Sequence, residues 1–335
     1  MTEIAIIGAG VMGLATARAL SRAGRDVVVY EQFEPGRARG SSHGRSRIVR
    51  LAYAEAQWVR LAQEALAGWR GLESEAGEQL LELNGLIEIV SELGESSAAT
   101  LDACGVAWQR LDHDEVERRF RLRLPPGSFG VLQPEAGIVR ADRALAAFAR
   151  GIDVRYGTRV SSLAELDAAC TVVTAGAWVN DLVNPSLPVR VTRETVCYFR
   201  PADVRPMPAF VSFDPRAAGI RFYALADPVH GIKAAAHHGG PEADPSETGK
   251  PDTTLVDAIT AWIGEHVLLA DPRPIEAQTC LYTSTADESF ILERRGRVVV
   301  GSACSGHGFK FAPAIGARLA ALALQALELG DANRS

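Results

Sequence analysis

The sequence predicts an α/β fold in two parts, one built on a parallel sheet and one on a mixed or antiparallel sheet. Residues 4–31 have the pattern of a buried strand, a glycine-rich turn, a helix and a second strand, which is a βαβ unit. Residues 170–178 again run from a buried strand into a turn and a helix. Residues 189–236 instead hold short segments in which apolar and polar residues alternate, as in strands with one buried face.

The glycine-rich turn of the opening unit has the spacing Gly-x-Gly-x-x-Gly. Gly8 permits the tight turn, Gly10 lets the backbone approach a pyrophosphate, and Gly13 lets the helix pack close to the strand. The second strand ends at Glu31, where an acid accepts hydrogen bonds from an adenosine ribose. These features predict a Rossmann-like domain with a bound dinucleotide of unspecified kind, against the alternative of a purely structural turn. The candidate ligands are Gly8, Gly10, Val11, Met12, Gly13 and Glu31.

The remaining elements follow from periodicity and from breaking residues. Apolar residues at helical spacing predict a helix from Trp58 to Leu72, whose tryptophans we expect in the core rather than around a ligand. Further helices are predicted over 143–150, 255–267 and 313–329, with a polar helix-and-loop region up to about residue 124. Strands are predicted over 85–90, 154–156, 159–160, 189–199, 209–213, 222–225, 232–236 and 297–300, and a loop over 241–254.

The order of these patterns predicts a discontinuous first domain. Residues 1–80, 137–186 and 280–330 would form the dinucleotide-binding domain, to which the chain returns near residue 280. Residues 81–136 and 187–279 would form a second domain that faces the substrate.

Composition restricts the class of protein. A chain of 335 residues can hold two domains, and 47% apolar and 23% charged residues are ordinary for a soluble globular protein. The net charge of −6 argues against a nucleic-acid or anionic-membrane partner, and no apolar run approaches the length that spans a bilayer. The five scattered cysteines form no C-x-x-C pair, which argues against a disulfide framework or a zinc site. We therefore expect a cytoplasmic protein without an export signal.

A second glycine-rich turn lies near the C-terminus, over residues 301–310. A strand ends, the turn follows and a long helix begins, so we expect free amides and the positive end of the helix to point at one place. Such a site suits a ligand that becomes anionic, such as the N1/C2 carbonyl edge of a reduced flavin, and Lys310 adds a cation. A nicotinamide acquires no negative charge on reduction. The alternative is an ordinary tight turn with a solvated lysine.

Besides the opening turn, five segments occur in an order that matches a known family over nearly the whole chain. They are 41–44 continuing through Arg47, Arg50 and Tyr53, then 175–178, 231–233 with His237, 280–283, and 305–311. On these motifs the chain resembles the monomeric sarcosine oxidase and N-methyltryptophan oxidase family of amine-oxidising flavoproteins, within the wider D-amino-acid-oxidase-like group.

The resemblance implies FAD as the cofactor. Cys280 matches the cysteine that attaches covalently to the 8α carbon of FAD, whereas an isolated cysteine would ordinarily be a buried, inert thiol. His43 and Arg47 match residues that pack beside the isoalloxazine ring. The other residues that match cofactor contacts are Ser42, Ala175, Gly176, Trp178, Gly306, His307, Gly308, Phe309 and Lys310.

The resemblance also assigns catalytic roles to Lys233, His43 and Arg47. Lys233 matches the lysine above the flavin that activates oxygen, where a cation stabilises the negative charge that oxygen acquires. Arg47 would help to position the flavin and the oxygen site. Without the resemblance, a lysine at the end of a strand would be read as solvated.

Substrate binding is implied for a further set of residues. Arg50 and Lys310 match the pair that binds the substrate carboxylate, a planar fork beside a point charge. Tyr53, Tyr223 and His237 match the surroundings of the substrate, although Tyr223 aligns only across a one-residue gap. His237 and His307 could equally be ordinary satisfied histidines. No metal site is predicted, because no His, Asp or Glu pair has ligand spacing in a suitable context.

The resemblance implies an FAD-dependent oxidase of a secondary or cyclic amino acid, which converts an amine to an imine and oxygen to hydrogen peroxide. The partners would be a small amino-acid-like amine and oxygen, and the protein a monomer or small homo-oligomer. Two alternatives stay open, a dehydrogenase of the same group with another electron acceptor and a non-catalytic flavoprotein partner. The substrate also stays open, since Cys304 replaces a larger residue common in relatives and the chain is shorter around 90–130 and 200–230.

Overall fold

A computed structural model describes residues 2–92, 97–202, 206–212 and 221–332, without the side chains of 330–332. This part of the chain holds seven α-helices and seventeen β-strands in three sheets. The helices are α1 Val11–Arg22, α2 Ala56–Ala76, α3 Ala98–Ala103, α4 His113–Phe120, α5 Ala141–Ala149, α6 Thr253–His266 and α7 Ala312–Ala332. The strands are β1 Thr2–Ile7, β2 Val27–Tyr30, β3 Ser46–Val49, β4 Leu81–Glu82, β5 Leu86–Ser91, β6 Gln109–Leu111, β7 Ser128–Gln133, β8 Gly137–Arg140, β9 Asp153–Arg155, β10 Ala168–Val173, β11 Arg190–Pro201, β12 Ala209–Ser212, β13 Arg221–Asp227, β14 Gly231–His237, β15 Ala270–Ser284, β16 Ile291–Arg295 and β17 Val298–Ser302.

The first sheet has six strands in the order β16-β17-β10-β1-β2-β9. All neighbouring pairs are parallel except β16 with β17. Because the carboxyl ends of parallel strands meet at one edge, the residues after β1, β2 and β10 come together there. This edge holds Gly8, Glu31 and Thr174, and the expected α/β fold with a Rossmann-like sheet is confirmed.

Helix α7 packs against α1 on this sheet. A Cβ atom added at Gly316 would lie 2.7 Å from Ala15, so a glycine is needed for the close approach of the two helices. The segment Gly308–Leu329 is long and apolar enough to cross a membrane, which corrects the expectation that no such run exists. Half of it is buried, with Ile315 and Leu319 in the core, so its apolar character is that of a core helix.

The second sheet has eight strands in the order β15-β11-β14-β13-β12-β5-β7-β6. Its pairs are antiparallel except β12 with β5, as expected for a mixed sheet. Helix α6 covers one face, where Trp262 stacks on Phe210 and Phe222 at 5.7 and 5.5 Å between ring centroids.

Strand β15 departs most from the expected organisation. Only its last residues have an apolar pattern, because it is an edge strand whose first half is polar and partly exposed. It pairs with β11 from Ala270 to Ser284, so the boundary expected at residue 280 falls inside one strand. We therefore propose that the second domain extends to residue 284.

A small third sheet joins β3, β8 and β4. Strand β3 was not predicted, since it lies in a glycine-, serine- and arginine-rich stretch with little periodicity, and its backbone is ordered by pairing with β8. Strands β7 and β16 were also missed, and residues 159–160 do not form the expected strand. The small sheet matters for function because β3 carries Ser46 and Arg47.

Candidate active site

One cavity of about 440 Å³ is lined by residues of both large sheets. We call the part lined by the glycine turn after β1 and by Glu31 the dinucleotide end, and the part lined by the eight-stranded sheet and the 306–310 turn the substrate end. All the predicted site residues line the cavity except Gly13 and Tyr53. The structure therefore brings together segments that are more than 300 residues apart in the chain.

The dinucleotide end is organised by backbone amides. The first turn of α1 carries no acidic residue, and the Val11 amide donates to Ser42 Oγ at 3.1 Å. Glu31 accepts from the amide of Ala9 at 2.8 Å and from that of Phe33 at 3.0 Å, which fixes its carboxylate beside the turn. This end fits the adenosine and pyrophosphate of a dinucleotide.

Gly13 contributes by packing and does not line the cavity. A Cβ atom there would lie 1.9 Å from the Gly8 carbonyl oxygen and 2.7 Å from Thr174 Oγ1. Only glycine allows α1 to begin so close to β1, so Gly13 shapes the turn from behind.

The amides of the C-terminal turn differ from the expectation. The His307 and Gly308 amides both donate to the Cys304 carbonyl oxygen, at 2.9 and 2.7 Å, because Ser305 and Gly306 have φ values of +39° and +69° and fold the turn back. The prediction that these amides are free for a ligand was wrong. Gly306 still lines the cavity, where an added Cβ would lie 2.4 Å from Tyr282.

Two cations meet on one aromatic ring at the substrate end. The Arg50 guanidinium lies 4.3 Å, and Lys310 Nζ 5.8 Å, from the ring centroid of Tyr53. Lys310 is 7% exposed and donates to the His307 carbonyl at 2.7 Å, while burial and then Arg50 lower its pKa well below the ordinary value. A carboxylate between the two cations would relieve both. Tyr53 supports this pair from behind and does not line the cavity.

Lys233 lies deep in the cavity with a single described hydrogen bond. Its Nζ donates to the Ser46 carbonyl at 3.2 Å and its residue is 5% exposed. Burial, and then the neighbouring Arg47, lower the pKa of Lys233 to about 7. The Arg47 guanidinium is held by carbonyls of Ser46 and Ser41, at 2.9 and 2.8 Å, and of His43.

His43 carries a buried polar atom that lacks a partner. Its Nε2 makes no hydrogen bond to any described residue. Burial, then Arg47 and Lys233, lowers the pKa of His43 to about 4, so the ring is neutral at physiological pH. A buried, unpaired ring nitrogen in a cavity indicates that a ligand supplies the partner. The residues present at this site therefore fit FAD.

Cys280 lines the same cavity. Burial raises the pKa of its thiol to about 11, while Arg47 and Lys233 act in the opposite direction. The thiol is therefore protonated at neutral pH and must lose its proton in any bond-forming step. Cys304 also lines the cavity, with Sγ 3.6 Å from Ser41 Oγ. All five cysteines are free.

Sequence reasoning missed several residues at the substrate end. Tyr282 lines the cavity, and its hydroxyl lies 3.4 Å from His237 Nδ1. The available signal was the two-residue period of a strand, which puts Tyr282 on the same face as Cys280. The same rule puts Arg221 beside Tyr223 on β13, and both line the cavity.

The structure also brings together a group that sequence spacing could not reveal. Possible ligand atoms of His237, His238 and Glu288 lie within 4.8 Å of one another. Glu288, however, already accepts from Arg221 at 2.5 Å. A fixed guanidinium there disfavours a second cation, so we assign no metal to this group.

The fold and this cavity define an FAD-dependent amine oxidoreductase. The family model described as FAD dependent oxidoreductase matches residues 3–322. The chain therefore belongs to this family, and within it to the sarcosine oxidase-like amine oxidases.

Three similar proteins illustrate the range of that branch. The peroxisomal sarcosine oxidase of Homo sapiens is 33% identical, over 96% of this chain and 91% of that protein. The N-methyl-L-tryptophan oxidase of Yersinia pestis is 27% identical, over 94% and 92%. Among solved structures, NikD, an unusual amino acid oxidase essential for nikkomycin biosynthesis, is 27% identical with a TM-score of 0.86, over 96% of this chain and 94% of that one.

Proposed function

We propose that the protein oxidises a secondary or cyclic amino acid to an imine with FAD and passes the electrons to oxygen, giving hydrogen peroxide. The observation that carries the proposal is the set of cations in the cavity wall. Arg50 and Lys310 lie against the Tyr53 ring, and both line the same cavity as Lys233 and the dinucleotide turn. A small molecule with one carboxylate can therefore bind in the cavity that would hold the cofactor.

Arg50 and Lys310 bind the carboxylate of the substrate. Both cations lie on the Tyr53 ring, so they approach a carboxylate from a fixed side and orient its α-carbon and nitrogen. His237 stays neutral, because burial and then His238 lower its pKa well below the ordinary value. It therefore adds no third cation, and with Tyr223 it excludes water from the substrate.

FAD, when bound, supplies an acceptor for the two electrons and the hydrogen removed from the substrate. The Gly8–Glu31 unit would hold its adenosine and pyrophosphate, and His43 and Arg47 its ring. Cys280 would be the covalent attachment point. This attachment would replace the Cys280 S–H bond by a thioether to the cofactor, and oxygen would accept the two protons and two electrons lost.

Lys233 provides the oxygen site. A buried ammonium stabilises negative charge on oxygen more strongly than a solvated one, since the surrounding medium has a low dielectric constant. The low exposure of Lys233 and its position on the cavity wall support this role over that of a solvated lysine. The same feature favours an oxidase over a dehydrogenase with another acceptor. A partner without turnover is disfavoured because one cavity is lined by the full set of Arg50, Lys233, Cys280 and Lys310.

We also propose a cytoplasmic location and action as a monomer or small homo-oligomer. Five free cysteines in one chain suit a reducing compartment.

A panel of N-alkyl and cyclic amino acids tests the function. With purified holoenzyme, a substrate should reduce the flavin anaerobically, and air should restore the yellow colour with one hydrogen peroxide formed per turnover. If the flavin is reduced by substrate but not reoxidised in air, the protein is a dehydrogenase and not an oxidase. If no N-alkyl or cyclic amino acid reduces the flavin, the substrate assignment is wrong.

A further inference from the structure

A buried acid outside the cavity is joined to Lys233 through a single residue. Asp227, at the end of β13, is 4% exposed. Its Oδ2 accepts from Ser46 Oγ at 3.0 Å, and its Oδ1 accepts from the amides of Val229 and His230 at 3.2 and 3.0 Å. The carbonyl of the same Ser46 accepts from Lys233 Nζ at 3.2 Å. Ser46 therefore contacts both the buried carboxylate and the buried ammonium.

Asp227 is ionised in this setting. Burial raises the pKa of Asp227, but the donors from His230, Val229 and Ser46 outweigh it and leave the pKa below the ordinary value. His230 also lies with Nδ1 3.1 Å from Asp227 Oδ1 and Nε2 3.1 Å from Glu276 Oε2, whose side chain is 43% exposed. The buried negative charge is thus held in one orientation by several donors.

The Asp227 carboxylate opposes the effect of a neighbouring cation on Lys233. Arg47 destabilises the ammonium, whereas Asp227 and Cys280 stabilise it. Since the Cys280 thiol is neutral at physiological pH, Asp227 is the carboxylate that offsets Arg47 among the described groups acting on Lys233. Several titratable groups face Lys233 from the elements around it. They are His43 in the loop before β3, Arg47 on β3, Tyr198 on β11, Asp227 on β13 and Cys280 on β15.

We propose that Asp227 is a positioning residue for oxygen reduction, which holds Ser46 against Lys233 and supplies a negative charge that favours the protonated form of the buried Lys233 amine. The assignment of oxygen reduction to Lys233 rests on the proposed function, whereas the effect of Asp227 on the protonation of Lys233 does not. No part of Asp227 needs to contact the cofactor, because it acts through Ser46 and through its charge.

The chain offers a direct readout, because it contains only three lysines, Lys233, Lys250 and Lys310. Holoenzyme labelled with 13Cε-lysine gives three side-chain signals by NMR, and exposed Lys250 is an internal reference. In Asp227→Asn the apparent pKa of Lys233 should fall by about one pH unit, since a nearby opposite charge shifts a pKa by about that much or more. Glu276→Gln, the same change at an exposed acid on the other side of His230, should leave it unchanged. An unchanged Lys233 titration in Asp227→Asn would overturn the proposal.

A second variant separates the contact from the charge. Ser46→Ala keeps the Asp227 carboxylate and removes its link to the Lys233 site, so dithionite-reduced enzyme mixed with oxygen should reoxidise several-fold more slowly without a change in the Lys233 titration. If the reduced Ser46→Ala variant is reoxidised at the wild-type rate, the positioning role of Asp227 is overturned. This outcome can be measured even if Asp227→Asn fails to fold. Failure of reduced wild-type enzyme to react with oxygen would instead overturn the oxidase assignment, while the Lys233 titration still decides the role of Asp227.

Discussion

Trp69 Nε1 donates a buried hydrogen bond of 2.7 Å to the carbonyl oxygen of Lys310, 241 residues further along the chain. The tryptophan is fully buried in the core below the first sheet, as expected for a residue at helical spacing. Its indole nitrogen also fixes the backbone from which Lys310 extends into the cavity. The packing of α2 and the position of the Lys310 cation are therefore linked.

Replacement of Lys233 by methionine separates the two half-reactions. Reoxidation of the flavin by oxygen should slow by about 10²–10³-fold, the usual effect of removing one preorganised electrostatic group, while anaerobic reduction by substrate changes little. Stopped-flow absorbance measures both rates. Lys250→Met removes an exposed lysine and is the matched control. Equal slowing of both half-reactions would show that Lys233 does more than activate oxygen.

Replacement of Cys280 by serine should release the flavin. After acid precipitation the yellow colour should move from the wild-type pellet to the supernatant, because the remaining contacts are non-covalent. Cys304→Ser, at a second thiol that lines the cavity, should keep a yellow pellet. A colourless wild-type pellet would show that the flavin is not covalently attached, and the assignment of FAD as the cofactor would still stand.

Replacement of Lys310 by methionine should weaken recognition of the substrate carboxylate. A charge-assisted contact contributes about 1.5–3 kcal/mol, so kcat/KM should fall about 10–100-fold. Steady-state kinetics with a carboxylate substrate and its carboxamide analogue provide the check, since the preference for the acid should shrink in the variant. A preference that stays at the wild-type value would assign Lys310 to the cofactor alone.

Buried neutral histidines should make stability fall in mild acid. Burial lowers the pKa of His43 to about 4 and that of His307 to about 3, whereas both titrate near 6.5 when unfolded. The unfolded chain then binds more protons, so this stabilisation is complete above about pH 6.5 and is lost as the pH falls, by at most about 1.4 kcal/mol per pH unit for each histidine. Thermal denaturation of the holoenzyme between pH 7 and 5 measures it. His43→Asn should flatten the slope.

Substitution of Gly13 by alanine should prevent FAD incorporation. The added Cβ would lie 1.9 Å from the Gly8 carbonyl oxygen, so α1 must move away from the turn that we propose binds the pyrophosphate. Gly71→Ala, in an exposed helical position with no atom within 4 Å, should instead stabilise the protein by about 0.5–1 kcal/mol. Flavin absorbance and melting temperature distinguish the two. Full flavin content in Gly13→Ala would show that the turn can adjust.

Features that depend on local pattern were predictable. The glycine spacing of the opening turn, the helical face from Trp58 to Leu72 and the alternation in β13 and β14 are all properties of short segments. Strand β3 was not predictable, because its residues have no strand pattern and pair only once β8 is in place. The first half of β15 was missed for a related reason, since a polar edge strand lacks an apolar face.

The sequence by itself determined the opening βαβ unit, the alternation of the second sheet and the residue types that could bind a flavin and a carboxylate. Only the tertiary structure decided that Asp227 reaches Lys233 through Ser46, and that the His307 and Gly308 amides turn back on Cys304. The physical reason is range. Propensity and periodicity act over a few residues, whereas burial, charge and hydrogen bonding at a site depend on segments that meet only when the chain is folded.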